Sequence, residues 1–168
     1  QNADERVYPA SLTKIMTCLI ALENGNLSDI VTVSASALSD LGADSSTSGL
    51  QVGEQMTLEN LLYCMMVVSG NYACNVIAEH IAGSVTDFVR MMNQRAYELG
   101  CTNTHFANPH GLHDESHYTT ARDLALITEA ALKSENFRQI VDSYEYILPA
   151  TNMNKERKLK TTNQLINK

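Results

Sequence analysis

Residues 8–23 read YPASLTKIMTCLIALE, and this stretch decides the fold because it is a strongly apolar segment of helical length. Its apolar residues cover most faces of a helix: Leu12, Ile15, Met16, Leu19, Ile20 and Leu22. Asn24-Gly25 then ends the pattern, as a helix C-terminus often does. We therefore predict a buried central helix from Ser11 to Glu23.

Shorter elements are predicted on the C-terminal side of this helix. The alternating residues Asp29–Ser34 indicate a strand, which a Ser/Gly/Asp-rich loop from Ser39 to Gly49 follows. Residues 144–161 predict a β-hairpin, with strands at 144–150 and 155–161. Periodicity and capping residues predict the remaining helices over Leu58–Val67, Tyr72–Ala82, Ser84 to Leu99, Ala121–Lys133 and Glu135–Val141.

Length and charge limit the class of protein. A chain of 168 residues with 44% hydrophobic content can bury the core of one domain. The net charge is −7, and the 12 Lys and Arg residues form no basic stripe, so we expect no nucleic acid partner. No apolar run reaches 18 residues, so we expect no membrane span in this segment.

The four cysteines are Cys18, Cys64, Cys74 and Cys101. They form no CxxC pair and have no regular metal-ligand spacing, and three of them lie in apolar helical stretches. We interpret them as buried thiols, and a disulfide between two of them is the alternative.

Ser11 and Lys14 are the first candidate catalytic pair. A spacing of three residues puts both side chains on one face of a helix, within reach of each other. The positive end of the helix dipole favours negative charge on an attacking Ser11 oxygen, and burial lowers the pKa of a lysine toward the range of a base. The alternative is that Ser11 caps the helix and Lys14 is a solvated residue of its first turn.

Ser69-Gly70-Asn71 is the second candidate element, because it interrupts two apolar helices with a polar turn. A hydroxyl and a carboxamide two residues apart can form one wall of a cleft, pass a proton and bind an amide. The alternative is an inter-helix turn in which Ser69 or Asn71 acts as a helix cap.

The two elements belong to a wider set of motifs: YPASLTKIMT at 8–17, Gly49-Leu50, Gly53-Glu54, Ser69-Gly70-Asn71, NPHGL at 108–112, His117-Tyr118 and Asp123-Leu124. Together these motifs resemble the low-molecular-mass D-alanyl-D-alanine carboxypeptidases, which are penicillin-binding serine peptidases. The resemblance runs over nearly the whole chain. It implies an α+β, mainly helical structure that forms the helical subdomain and part of the β-lactamase/transpeptidase-like fold.

The resemblance also implies roles for individual residues. Ser11 would be the acylated nucleophile, Lys14 its proton acceptor, Ser69 a further catalytic residue and Asn71 a substrate-binding residue. The backbone amide of Ser11 would supply half of the oxyanion hole. The partners implied are a peptidoglycan stem peptide ending in D-Ala-D-Ala and β-lactams as covalent inhibitors, in the extracytoplasmic cell envelope and without a metal or cofactor.

The sequence departs from the family pattern at both ends of the chain. Penicillin-binding proteins carry a third motif, Lys-Thr-Gly, on a strand of the active site. Lys160-Thr161-Thr162 lacks its glycine and falls within the predicted hairpin, so we do not accept it as the third motif. We expect residues 1–168 to form a single incomplete penicillin-binding domain whose central sheet is largely missing, with apolar helical surface left exposed and impaired catalysis.

Three other functions are alternatives to this one. A class A β-lactamase needs a glutamate that activates the deacylating water, and residues 99–111 contain none. A zinc peptidase is suggested by His105, His110, His113 and His117, but their spacing fits no HExxH pattern and Pro109 interrupts any helix. The simpler interpretation of these four histidines is that they belong to a polar loop packed under the site. A sensor domain that β-lactams acylate without turnover remains an alternative.

Overall fold

The computed structural model describes residues 2–39, 41 and 48–163. The predicted loop from Ser39 to Gly49 lies mostly outside these residues. The described part is mainly helical and has two small sheets, which confirms the α+β, mainly helical fold class. Its elements, in chain order, are a 3₁₀ turn (Ala10–Leu12), α1 (Thr13–Asn24), β1 (Ile30–Thr32), α2 (Ala35–Ser39), β2 (Gln55–Thr57), α3 (Leu58–Val67), α4 (Asn71–Ala82), α5 (Val85–Glu98), α6 (Ala121–Leu132), α7 (Glu135–Val141), β3 (Glu145–Leu148) and β4 (Arg157–Lys160).

The central helix α1 lies at the middle of the core, as its apolar pattern predicts. It contacts α3, α4, α5, α6 and α7. Met16, Cys18 and Ala21 on α1 are fully buried. The structure differs from the prediction at the N-terminus, because Ser11 lies in the 3₁₀ turn and the α-helix proper begins at Thr13.

Side-chain caps set the beginnings of α3, α5 and α6, whereas α4 begins after Gly70 without one. Thr57 accepts a hydrogen bond from the backbone amide of Asn60 at the start of α3. Ser84 and Thr120 cap α5 and α6 in the same way. Gly83, with φ of +79°, ends α4 in a left-handed conformation that glycine adopts without a steric penalty. These local signals explain why the helix boundaries follow the prediction closely.

The sheets are short and antiparallel. β1 pairs with β2 in the register Ile30 to Thr57, and β3 pairs with β4 in the register Glu145 to Lys160. Neither α2 nor β2 was expected from the sequence, since each is held by contacts with distant residues: the Asn75 amide donates to the Ala37 carbonyl, and β2 pairs with β1.

The hairpin formed by β3 and β4 packs against α3. Leu148 is fully buried, and the Tyr146 ring stacks on Tyr63 with 3.7 Å between ring centroids. The Tyr146 hydroxyl also donates to Asn60 Oδ1 at 2.7 Å. Lys160-Thr161-Thr162 begins at the end of β4 and continues just beyond it, beside Tyr144, whose carbonyl accepts from the Thr161 amide.

All four cysteines are buried and free, which confirms the interpretation as buried thiols. Burial raises the pKa of the Cys64 and Cys74 thiols to about 12, so both are inert at neutral pH.

Some apolar helical surface is exposed, as expected from the sequence. Leu12 is 52% exposed and Leu132 is 45% exposed. Both line a groove of about 380 Å³ that also reaches Ser11. Within the described residues, no helix combines the length and the apolar character that crossing a bilayer requires.

Candidate active site

Ser11 lies at the exposed mouth of the site, one turn before α1. The preceding residue, Ala10, has φ of +50°, a left-handed conformation that costs a non-glycine residue about 1–3 kcal/mol. This turn directs the Ser11 hydroxyl toward Lys14 and Ser69, and its oxygen lies 3.1 Å from Lys14 Nζ.

Lys14 is buried, with only 2% of its surface exposed, which excludes the alternative of a solvated first-turn residue. Its amine also contacts Asn71 Oδ1 and the His110 carbonyl oxygen, each at 2.8 Å. Burial lowers the pKa of the Lys14 amine below its ordinary value, and the nearby Cys74 acts in the opposite direction.

Ser69 and Asn71 reach the same place from the junction of α3 and α4. The Ser69 hydroxyl donates to Ser11 Oγ at 3.0 Å, and Ser69 itself has φ of +57°. Gly70 is the N-cap of α4 and makes no side-chain cap, so neither Ser69 nor Asn71 acts as a helix cap. The structure therefore brings together all four residues that the sequence singled out, although 54 residues separate Lys14 from Ser69 in the chain.

A cavity of about 340 Å³ opens beside Ser11. It is lined by Tyr8, Ala10, Ser11, Asn71, His110, Gly111, Leu112, His113 and His117. A larger depression of about 840 Å³ lies along α5, between Ala82 and Gln94, but it is shallow and contains none of the four site residues. The smaller cavity is the candidate substrate site, because it alone of these two has nucleophile and polar groups converging on it.

The loop between α5 and α6 supports the site from below, as the interpretation of a packed polar loop predicts. The Thr17 hydroxyl donates to the Pro109 carbonyl at 2.6 Å, and His110 supplies the carbonyl that holds Lys14. The role of this carbonyl was not predictable from the sequence, because backbone atoms leave no residue-specific signal.

The histidines of this loop are bound to protein groups. His117 Nδ1 accepts from the Ala107 amide at 3.0 Å, so its Nε2 donates to Thr13 Oγ1 at 2.7 Å. Burial lowers the pKa of both His110 and His117 to about 4, and Lys14 adds to the effect at His110. Both rings are therefore neutral and serve as fixed parts of the site wall.

Gly111 lets the loop approach the nucleophile turn. Its φ is +89°, and a Cβ at this position would come within 1.9 Å of the Ala10 carbonyl oxygen. Gly111→Ala is expected to lower the free energy of unfolding by about 3 kcal/mol or more, because overlap adds to backbone strain. Urea unfolding measures this loss.

Gly100 provides the matched control for this substitution. It has a similar φ of +81°, but a Cβ there would meet nothing within 4 Å. Gly100→Ala is therefore expected to cost only about 1 kcal/mol of backbone strain. Equal losses for the two variants would show that the contact with Ala10 contributes nothing.

Comparison with known proteins gives the family. The family described as D-alanyl-D-alanine carboxypeptidase matches residues 1–168. The D-alanyl-D-alanine carboxypeptidase DacF of Bacillus subtilis is 42% identical over 99% of this chain and 43% of its own length. DacA of Haemophilus influenzae is 44% identical over 75% of this chain and 33% of its own length. The chain therefore spans less than half of these curated relatives.

Solved structures agree with the sequence matches. The Streptomyces K15 DD-transpeptidase superposes with a TM-score of 0.89 at 33% identity, covering 98% of this chain and 68% of that one. A D-alanyl-D-alanine carboxypeptidase from Mycobacterium tuberculosis also gives a TM-score of 0.89, at 29% identity, covering 99% of this chain and 61% of that one. The fold, the sequence matches and the convergence of the two motifs agree, and the chain belongs to the D-alanyl-D-alanine carboxypeptidase family of serine peptidases.

Proposed function

We propose that this chain carries the nucleophile half of a serine-type D-Ala-D-Ala carboxypeptidase, which removes the terminal D-Ala from peptidoglycan stem peptides. The observation that carries the proposal is the position of Ser11 Oγ, 3.1 Å from a buried lysine amine and 3.0 Å from a second hydroxyl. The family and the two relatives named as carboxypeptidases support the same reaction.

Lys14 is the proposed base because burial lowers the pKa of its amine, which makes the neutral form more accessible. A neutral amine has two N–H donors and one lone pair. The Asn71 and His110 oxygens, both acceptors, take the two donors. The lone pair is then left for the Ser11 hydroxyl, whose proton Lys14 can accept.

The reaction proceeds by acyl transfer in two steps. Ser11 Oγ forms a bond to the carbonyl carbon of the penultimate D-Ala while its proton passes to Lys14. The peptide C–N bond then breaks. The nitrogen of the terminal D-Ala takes the proton that Lys14 accepted, passed on through the Ser69 hydroxyl, and free D-Ala leaves. Water then hydrolyses the Ser11 ester, which releases the shortened peptide and restores the hydroxyl.

Asn71 has a proposed role in substrate binding. It lies in the cavity wall, its Oδ1 accepts from Lys14, and its amide nitrogen carries two further donors for a peptide carbonyl. A substrate from peptidoglycan places the reaction in the extracytoplasmic cell envelope. β-Lactams, which acylate the same serine in penicillin-binding proteins, are the proposed covalent inhibitors.

Release of D-Ala tests the proposal in the protein at its natural length. A peptide ending in D-Ala-D-Ala is expected to release free D-Ala, whereas the matched peptide ending in D-Ala-L-Ala releases no alanine. Preincubation with penicillin is expected to block the release.

Two other outcomes would favour the alternatives. Acylation by penicillin without any release of D-Ala would contradict the carboxypeptidase and favour a sensor domain. Rapid hydrolysis of penicillin would instead favour a β-lactamase.

A further inference from the structure

A buried ion pair fastens the end of the hairpin to the segment before α3. Glu54 has no exposed surface, and the Arg157 guanidinium pairs with its carboxylate. The Thr151 hydroxyl and the Asn154 amide also donate to this carboxylate, each at 2.9 Å. These hydrogen bonds hold the Glu54 carboxylate in one place. The carboxylate in turn fixes the position of the Arg157 guanidinium.

The same guanidinium holds a second segment of the chain. Arg157 Nη1 donates to the Gly49 carbonyl at 2.8 Å and to the Ser48 carbonyl at 3.2 Å. Ser48 has φ of +53°, a strained conformation that persists only where neighbouring contacts hold it. Arg157 supplies two of those contacts.

Ser48 in turn packs behind the turn that carries Ser69. Its hydroxyl occupies the space where a Cβ on Gly70 would stand, 2.2 Å from that Cβ position. The Ser48 hydroxyl and the Gly70 amide both donate to the Cys64 carbonyl, at 3.2 and 3.1 Å. Ser48 and the Ser69-Gly70 turn are therefore fixed against the same end of α3.

We propose that Arg157 is a positioning residue for Ser69, acting through the Ser48 turn. The contacts run from the Glu54–Arg157 pair to Ser48, then to Gly70 and Ser69, whose hydroxyl donates to Ser11. The effect of this positioning on acylation rests on the proposed function, whereas its effect on the turn does not.

Arg157→Lys is the variant that tests the proposal. It keeps a cation beside Glu54 and so avoids leaving a buried carboxylate unpaired. A lysine carries all its donors on one nitrogen, so it cannot reach Glu54 and the two carbonyl oxygens as the planar guanidinium does. Arg95→Lys is the matched control, since Arg95 forms a similar fork with Glu23 at the C-terminal end of α1. Among the described residues the Arg95 guanidinium pairs with Glu23 and Glu98, not with the Ser69 turn.

Amide hydrogen exchange tests the positioning without relying on activity. Exchange at Gly70 is expected to be roughly tenfold faster in Arg157→Lys and unchanged in Arg95→Lys. Unchanged exchange at Gly70 in Arg157→Lys would overturn the proposal.

Acylation by penicillin, measured in the protein at its natural length, gives the second readout. Arg157→Lys is expected to slow acylation roughly tenfold, and to slow it no further when Ser69→Ala is already present. No slowing in the first case, or equal slowing in both backgrounds, would contradict positioning through Ser69. If the unsubstituted protein is not acylated at all, the proposed function fails, and exchange at Gly70 still decides whether Arg157 positions the turn.

Discussion

Ser11→Ala is expected to abolish the covalent adduct that penicillin forms with this protein. Intact-mass measurement of the protein at its natural length should show one added penicillin per unsubstituted chain, because the opened lactam ring stays attached to the serine oxygen. Loss of a catalytic serine in a peptidase lowers the rate on the order of 10⁶-fold, so no adduct is expected on the time scale of the experiment.

The stability of this variant provides its control. Ser11 is exposed and caps no helix, so Ser11→Ala should lower the free energy of unfolding by only about 1 kcal/mol, the net contribution of its hydrogen bonds to Lys14 and Ser69. Ser143→Ala replaces a half-buried serine whose hydroxyl donates to the Gln139 carbonyl on α7 and which is not among the residues that line the cavity, so this variant should keep the full adduct. An adduct that survives Ser11→Ala would exclude Ser11 as the nucleophile.

Lys14→Met is expected to slow acylation by about 10²–10⁴-fold, the usual contribution of a general base. Methionine keeps the apolar stem of lysine but has no group that accepts the Ser11 proton. The acylation rate constant, measured by intact mass over time, checks this expectation. Lys133→Met, which replaces an exposed lysine at the end of α6, should leave the rate unchanged.

The pH dependence of acylation gives an independent test of Lys14. Only the neutral amine accepts a proton, so the rate should fall as the pH drops below the pKa of Lys14. Because burial lowers this pKa, the fall should be centred below 10.5, the ordinary value for a lysine. If the rate instead keeps rising until the pH reaches 10.5, the base does not have a lowered pKa and is not the buried Lys14.

Much of the fold was predictable because its signals are local. The helix caps at Thr57, Ser84 and Thr120 act on amides three residues away, so spacing in the sequence is enough to place them. The short elements α2 and β2 were missed for the opposite reason: each depends on contacts with distant residues rather than on a period of its own.

By itself the sequence determined the buried helix after Ser11 and the pairing of Ser11 with Lys14, since a separation of three residues fixes both on one helical face. Only the tertiary structure decided that Asn71 and the His110 carbonyl surround the Lys14 amine, and that Gly111 lies against Ala10. These contacts join residues 57 to 101 positions apart. No local pattern encodes them, because they exist only once the loop and α4 have packed against the same end of α1.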